Sequence, residues 1–460
     1  MSIDIVILAA GKGTRMRSNQ AKVLHEIAGR SLLEHVLMAA ETLNARRTAV
    51  VVGHQSEAVV ERLSADIVVV EQAEQLGTGH AVSLALGSLP IQSGDHQVTL
   101  VLYGDVPLVD PGTLKTAVEA AEQGDVGLVT AHIDDPAELG RIVRNSSGAI
   151  QRIVEYKDAS AAEREICEIN SGIMAVPTTH LSRWLNQVKP QNAQGEYYLT
   201  DIIEFATKEK VHVKGVLAPT VEEVSGVNDR AQLAVLERVY QLRQTQQLMA
   251  QGVTLADPQR VDIRGEVVAE QDCFIDINVI LEGRVVLGEG VRIGAGAVVI
   301  DSVLGSGSEV LPHTMVEGAM IASNCSVGPF ARIRPGTELD EGVKIGNFVE
   351  TKKTHLGSGS KASHLSYLGD ATIGENCNIG AGTVTCNYDG INKHPTIISD
   401  DVFVGTNSTL VAPVEIAEGA FVAAGSTVTV KVAPGDLAVG RAKQRNISGW
   451  TRPDQRGDSS

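Results

Sequence analysis

A branched aliphatic recurs at every sixth residue through much of the second half of this chain. Ile275, Leu281, Leu287, Ile293 and Val299 step in sixes, as do Val327, Ile333, Leu339 and Ile345, and again Ile398, Val404, Leu410, Ile416 and Val422. A helix repeats near 3.6 residues and a strand at two, so a sustained six excludes either as the long-range element. It predicts a solenoid whose flat edges are one hexapeptide long. Each edge turns one aliphatic inward and rounds the next corner on a small residue, as in Ile293-Gly294-Ala295-Gly296-Ala297. The predicted fold of this half is an all-β parallel β-helix, with hexads from about 261 to 430. Aromatics make up 3% of the chain, which suits stacked coils that admit slim aliphatic side chains.

The register slips near 300–304 and 316–321, where a corner gains or loses a residue. A larger break separates Thr385 from Ile398, and Cys386–Thr396 (CNYDGINKHPT) is predicted as a loop projecting from the solenoid. Loops on rigid scaffolds are where chemistry concentrates.

Residues 1–228 alternate strand and helix patterns, the sign of an open, mainly parallel α/β sheet. Strands are predicted at Ile3–Ala9, Thr48–Val52, Asp66–Val70 and Val98–Tyr103. Ser31 with Glu34 forms a capping box for a helix to about Asn44, and Asp110-Pro111 caps another. Residues 229–251 read as a connecting helix stopped by Gly252. Residues 252–460 carry the solenoid and a polar tail, Arg452–Ser460, predicted to be disordered.

At 460 residues the chain exceeds one core. Its formal charge of −17 argues against a nucleic-acid partner. The five cysteines form no CxxC pair, which reads as reduced thiols with neither disulfides nor a zinc site. No apolar run is long enough to span a bilayer, and Ile5–Ala10 reads as a buried strand and not a signal peptide. A cytoplasmic chain with no membrane partner is expected.

Chemistry gathers at two places. Leu8-Ala9-Ala10-Gly11-Lys12-Gly13-Thr14-Arg15-Met16 follows the first strand directly. Its glycines let backbone N–H groups approach a phosphate, with Lys12 and Arg15 adding charge. Met16 stands where a dinucleotide fingerprint needs its third Gly, and the spacing of a Walker loop is absent. In the other half, Arg332 and Arg334 interrupt the aliphatic rows, Lys352-Lys353 follow Glu350, and His364 and Tyr367 lie in KASHLSY. A histidine titrates in the range needed to take a proton from an amine attacking a thioester. Glu350 is placed in sequence to orient that imidazole, and Arg334, Lys352 and Lys393 to neutralise a phosphate.

The N-terminal string resembles the LxAGxGTRM signature of sugar-nucleotide pyrophosphorylases. Lys22 matches the lysine that follows it, with Ala21 where the family usually has Pro. The likeness continues through Gln72, Gln75–His80 (QLGTGH), Tyr103-Gly104-Asp105, Gly140-Arg141, Glu155, Asn170 and Asn228. Together with Phe348-Val349-Glu350, Tyr367–Asp370 (YLGD), Asn378–Thr383 (NIGAGT) and Asn387–Gly390 (NYDG), residues 3 to 450 resemble the bacterial bifunctional N-acetylglucosamine-1-phosphate uridyltransferase/glucosamine-1-phosphate N-acetyltransferases. The fold implied is a Rossmann-like α/β nucleotidyltransferase domain joined by a helix to a left-handed parallel β-helix.

The resemblance implies acetylation of glucosamine 1-phosphate by acetyl-CoA, then transfer of UMP from UTP, giving UDP-N-acetylglucosamine and pyrophosphate for peptidoglycan and lipopolysaccharide synthesis. By the same resemblance, Leu8, Ala9, Ala10, Gly11, Arg15, Lys22, Gln72, Gly77, Thr78, Tyr103, Gly104 and Asp105 bind the uridine nucleotide. Gly140, Glu155, Asn170 and Asn228 complete the sugar end, and Asp105 and Asn228 hold Mg²⁺. Arg334, Lys352, Tyr367 and Asn378 hold the amino-sugar phosphate, with His364 as general base. Ala381, Asn387, Tyr388, Thr406, Ala424 and Arg441 contact acetyl-CoA; Thr406 stands where Ser is common. A homotrimer with acetyl sites between subunits is implied as well. Two other readings fit the repeat itself: a monofunctional nucleotidyltransferase with a structural or regulatory β-helix, and a non-enzymatic scaffold.

Overall fold

A computed structural model describes residues 2–53, 56–89 and 97–455. The chain divides into two compact units, Met1–Gln241 and Leu242–Ser460, and the division falls inside one helix, Arg230–Ala250. Of the tail, Pro453–Gln455 forms a 3₁₀ turn; residues 456–460 lie outside those described.

The first unit is built on one sheet. Its main path runs Val213–Leu217, Val126–His132, Glu168–Pro177, Gln97–Tyr103, Ser2–Ala9, Arg47–Gly53, Val68–Gln72. Along this path Glu168–Pro177 runs antiparallel to its neighbours and the other pairings are parallel. The continuous apolar runs reflect burial on both faces. Ile5 and Ile7 point to one side, against Leu33, Val36, Leu114 and Ala117. Val6 and Leu8 point to the other, against Ala81, Val82, Leu181 and Trp184. The Ser31/Glu34 capping box forms as expected and starts the helix Leu32–Glu41. Asp110 accepts from Gly112 N–H with Pro111 as first helical residue.

The second unit is the parallel β-helix that the hexads predict. Ile275, Ile293, Val310, Val327, Ile345, Ala362, Ile379, Val404 and Val422 pair in one inward column, strand on parallel strand. Leu281, Val299, Val316, Ile333 and Thr351 form a second column. Leu287, Leu304, Ile321, Leu339, Leu356, Ile373, Ile398 and Ile416 form the third. These side chains are almost wholly buried. The slips have a physical meaning. A step within a column is seventeen or eighteen residues except across one coil, where Ile373 pairs with Ile398, Ile379 with Val404 and Thr385 with Leu410, each twenty-five on. The surplus is the predicted loop, and Ile391 at its tip is 86% exposed. Corners close on left-handed residues such as Asn324, Asn376 and Asn407, the type that tolerates this conformation best after glycine. Among the described residues no helix is long and apolar enough to cross a membrane.

Candidate active sites

In the first unit, register places Leu8 beside Tyr103. The loops leaving the carboxyl ends of these two parallel strands therefore emerge side by side, where open α/β sheets bind ligands. A cavity of about 360 Å³ opens there, lined among others by Leu8, Ala9, Ala10, Gly11, Lys22, Gln72, Gly77, Thr78, Tyr103 and Asp105. Met16 explains how the loop is held. It is buried with Ile27, Leu32, Leu108 and Val227, leaving Gly11 open to a ligand, with nothing near the space a Cβ would fill.

Lys22 forms a close ion pair with Asp105, and its Nζ donates to Asn228 Oδ1 at 3.2 Å. Two oxygens therefore converge on one cationic centre, although Asn228 lies 123 positions beyond Asp105. Val227 N–H donates to Asp105 C=O at 2.9 Å and fixes this approach. Gly77 has a φ of 111°, and an added Cβ would lie 2.6 Å from Tyr197 C=O; only glycine fits. Gln72 Nε2 donates to Gly77 C=O at 3.1 Å.

Of the predicted sugar end, Gly140, Glu155 and Asn170 do not line this cavity; they gather near Tyr103, which does. Gly140 C=O accepts from Asn170 N–H at 2.9 Å, and the Glu155 carboxylate packs against Gly140. Gly172 leaves room for the Tyr103 ring. Burial pushes the Tyr103 phenol well above its usual range, with Glu155 and Asp105 adding to the effect. Burial also raises the Glu155 carboxyl, against the Thr200 hydroxyl bond that lowers it. Arg15 is exposed and does not line the cavity. Glu196, Val23 and Ala81 do line it, and sequence reasoning gave them no role. Glu196 had no local signal, because it arrives from a distant loop.

In the second unit, one corner of the solenoid collects a ladder. Leu365 N–H bonds Asn347 C=O, Gly382 N–H bonds Leu365 C=O, Asn407 N–H bonds Ala381 C=O, and Gly425 N–H bonds Thr406 C=O. His364, Ala381, Thr406 and Ala424 thus occupy successive coils, and an added Cβ on Gly425 would lie 3.8 Å from Arg441 Cδ. The next strand carries the charged group. Arg334 Nη1 donates to Glu350 Oε1 at 2.7 Å, and this bond holds the guanidinium above its ordinary range. Glu350 pairs in register with Tyr367. Lys352 Nζ lies 3.8 Å from Asp370, which also accepts a short bond from the buried Asn387 amide. Lys393 has its ammonium pulled below the usual range by the Lys352 ammonium it faces, the electrostatics of a place suited to an anion. Asn378 sits on the preceding edge, paired with Lys361.

The orienting role read for Glu350 is corrected here. Glu350 is taken by Arg334, and His364 Nδ1 instead meets Asn347 Oδ1 at 2.7 Å. Asn347 lies directly across from His364 in the coil ladder, and Gly346 beside it lets the two coils close, since an added Cβ would overlap the Ser363 carbonyl. The signal for Asn347 was a seventeen-residue offset, visible only once the slips are counted. The Cys386–Thr396 loop is internally braced: Asp389 accepts from Ile391 N–H, Asn392 N–H and His394 Nε2, and these bonds hold its carboxyl down at about 2.

Residues 5–172 match the MobA-like NTP transferase domain, residues 263–346 the GMPPB C-terminal domain, and residues 371–392 and 395–430 the hexapeptide repeat of succinyl-transferase. Among curated relatives, the bifunctional protein GlmU of Marinobacter nauticus is 51% identical over 452 residues, 98% of this chain and 99% of its own. That of Pseudomonas putida is 53% identical over 456 residues, 99% of each. That of Stutzerimonas stutzeri is 52% identical over 457 residues, 99% of this chain and all of its own.

Proposed function

The chain belongs to the family of bifunctional GlmU proteins, and on that footing we propose how its two units divide the work. The protein acetylates glucosamine 1-phosphate with acetyl-CoA, then transfers UMP from UTP to N-acetylglucosamine 1-phosphate, releasing pyrophosphate and UDP-N-acetylglucosamine, a cell-wall precursor. The observation that carries the division is that each unit holds a built site of its own: the Lys22–Asp105–Asn228 cluster in one and the His364 corner in the other.

In the first unit the sugar phosphate attacks the α-phosphate of UTP and the bond to pyrophosphate breaks. Such a step rests on positioning and on cations facing the charge that develops. The loop Leu8–Gly11 presents backbone to the nucleotide, Lys22 presents its ammonium, and Glu155, Gly140 and Asn170 hold the sugar. Asp105 and Asn228 fit Mg²⁺, because both already aim oxygen at one cationic centre and Mg²⁺ accepts one or two protein oxygens while keeping water and phosphate. Bound there, the metal supplies charge neutralisation on the triphosphate.

In the second unit Arg334, Lys352, Tyr367 and Asn378 hold glucosamine 1-phosphate. His364 Nε2 takes the amine proton as the nitrogen attacks the thioester carbonyl, the C–S bond breaks and CoA leaves. Ala381, Asn387, Tyr388, Thr406, Ala424 and Arg441 seat acetyl-CoA along the ladder. A homotrimer is supported by the open form of this site and by an exposed apolar stack beside His364. His313, Phe330 and Phe348 stack ring on ring at 5.2 and 5.6 Å, and Phe348 and Leu365 are each more than half exposed. Soluble substrates support a cytoplasmic setting.

Both half-reactions are to be assayed on wild type, Asp105→Ala and His364→Ala. Asp105→Ala is expected to lose uridylyl transfer alone, and His364→Ala acetyl transfer alone. A wild-type chain that releases no CoA with glucosamine 1-phosphate sinks the bifunctional reading.

A further inference from the structure

The segment Glu196–Asp201 joins the Leu76–Gly79 loop beside the first cavity to Glu155 of the proposed sugar end, through contacts that need no ligand. At the nucleotide end, Gly79 N–H donates to Tyr197 C=O and Tyr197 N–H donates to Leu76 C=O, both at 2.8 Å. Leu199 N–H donates to Thr78 Oγ1 at 3.2 Å. At the sugar end, the next residue, Thr200, donates its hydroxyl to Glu155 Oε1 at 3.0 Å. Thr200 is buried and begins no helix of its own; it is the middle of a 3₁₀ turn, Leu199–Asp201. Its backbone is therefore anchored to the nucleotide loop through the residue before it.

We propose that Thr200 is a positioning residue for sugar recognition: its hydroxyl holds the Glu155 carboxylate against Gly140 in the orientation that meets the sugar hydroxyls. Both Glu155 oxygens face Gly140, at 3.3 and 3.4 Å from the place a Cβ would occupy. The carboxylate thus sits against a position without a side chain while the Thr200 hydroxyl donates to its Oε1. A buried carboxylate without its donor is poorly placed and poorly stabilised. Thr200 opposes the upward push of burial on this carboxyl and aims it before any substrate arrives, which lowers the ordering cost of binding.

The inference rests on Glu155 binding the sugar, and the experiment separates the two. Uridylyl transfer is measured for wild type, Thr200→Val, Thr200→Ser, Glu155→Ala and the Glu155→Ala/Thr200→Val double variant, with KM for each substrate and kcat. Valine keeps the shape and removes the donor. Thr200→Val is expected to raise KM for N-acetylglucosamine 1-phosphate roughly tenfold, the loss of one hydrogen bond to a charged group, with kcat and KM for UTP within about twofold. Thr200→Ser restores wild-type KM. On the Glu155→Ala background Thr200→Val adds nothing further, because no carboxylate remains to be held. A full tenfold effect in the double variant, or a Thr200→Val protein with unchanged sugar KM, overturns the proposal. An unchanged sugar KM in Glu155→Ala instead overturns the assignment of Glu155 itself.

Discussion

Replacing Asn347 by leucine tests whether the coil next to His364 takes part in acetyl transfer. Leucine matches the shape of asparagine and removes the oxygen that meets His364 Nδ1 at 2.7 Å. An asparagine oxygen only accepts, so this bond fixes the proton on Nδ1 and leaves the Nε2 lone pair free for the amine. The coils cannot rearrange to compensate, since Gly346 and Ser363 are already in backbone contact. The bond is between uncharged groups at a solvent-facing corner, so its net worth is about 1 kcal/mol. Loss of imidazole orientation falls on the transition state, and at about 1.4 kcal/mol per decade the expected fall in kcat is roughly five- to tenfold. The assay is CoA thiol release at saturating acetyl-CoA and glucosamine 1-phosphate. KM for acetyl-CoA should stay within about twofold and uridylyl transfer should not change. A kcat within twofold of wild type would refute the reasoning, as would an equal loss in both half-reactions.

Ile345 is fully buried in the first inward column, between Val327 and Ala362. Ile345→Ala is expected to destabilise the β-helix by roughly 3–4 kcal/mol, towards the upper part of the range for such truncations, because hydrogen-bonded coils cannot collapse onto the void; denaturant unfolding followed by acetyl-transfer loss reads it. Asp201 has its carboxyl pushed up to about 6, by burial first and then by Glu204 and Glu155. Its folded value lies above the unfolded one, so its contribution to stability is fully present below about pH 4 and is lost as pH rises through about 6. Asp201→Asn should therefore raise Tm at pH 7.5 and lose that advantage near pH 4, as thermal melts across this range will record. Phe330→Ser with Phe348→Ser should shift the assembly to smaller species by light scattering and abolish acetyl transfer, while uridylyl transfer persists. A trimer that survives the double change removes the apolar stack as its support.

Much of this was legible in order and spacing. The solenoid could be read because a β-helix coil is a local object: each inward column samples the sequence at a nearly constant interval, so the pattern survives without knowledge of distant contacts. The Ser31/Glu34 capping box and the Asp110-Pro111 start are local for the same reason. The Gly11 loop was legible by its place after a strand. What the sequence hid was partnership. Glu350 stands close to His364 in the string, yet its carboxylate turns to Arg334 on the adjacent coil, and the imidazole turns to Asn347.

The six-residue period by itself determined the architecture of half the molecule, and the signature after the first strand marked the loop that lines the first unit's cavity. Only the tertiary structure decided which side chains meet. Asn228 reaches Lys22, Thr200 reaches Glu155, and Asn347 reaches His364, because sheet order and coil stacking set residues distant in the chain within hydrogen-bond range. The physical reason is one of range. Periodicity reports burial, which each residue expresses alone, whereas an oriented hydrogen bond depends on two backbones being fixed at once.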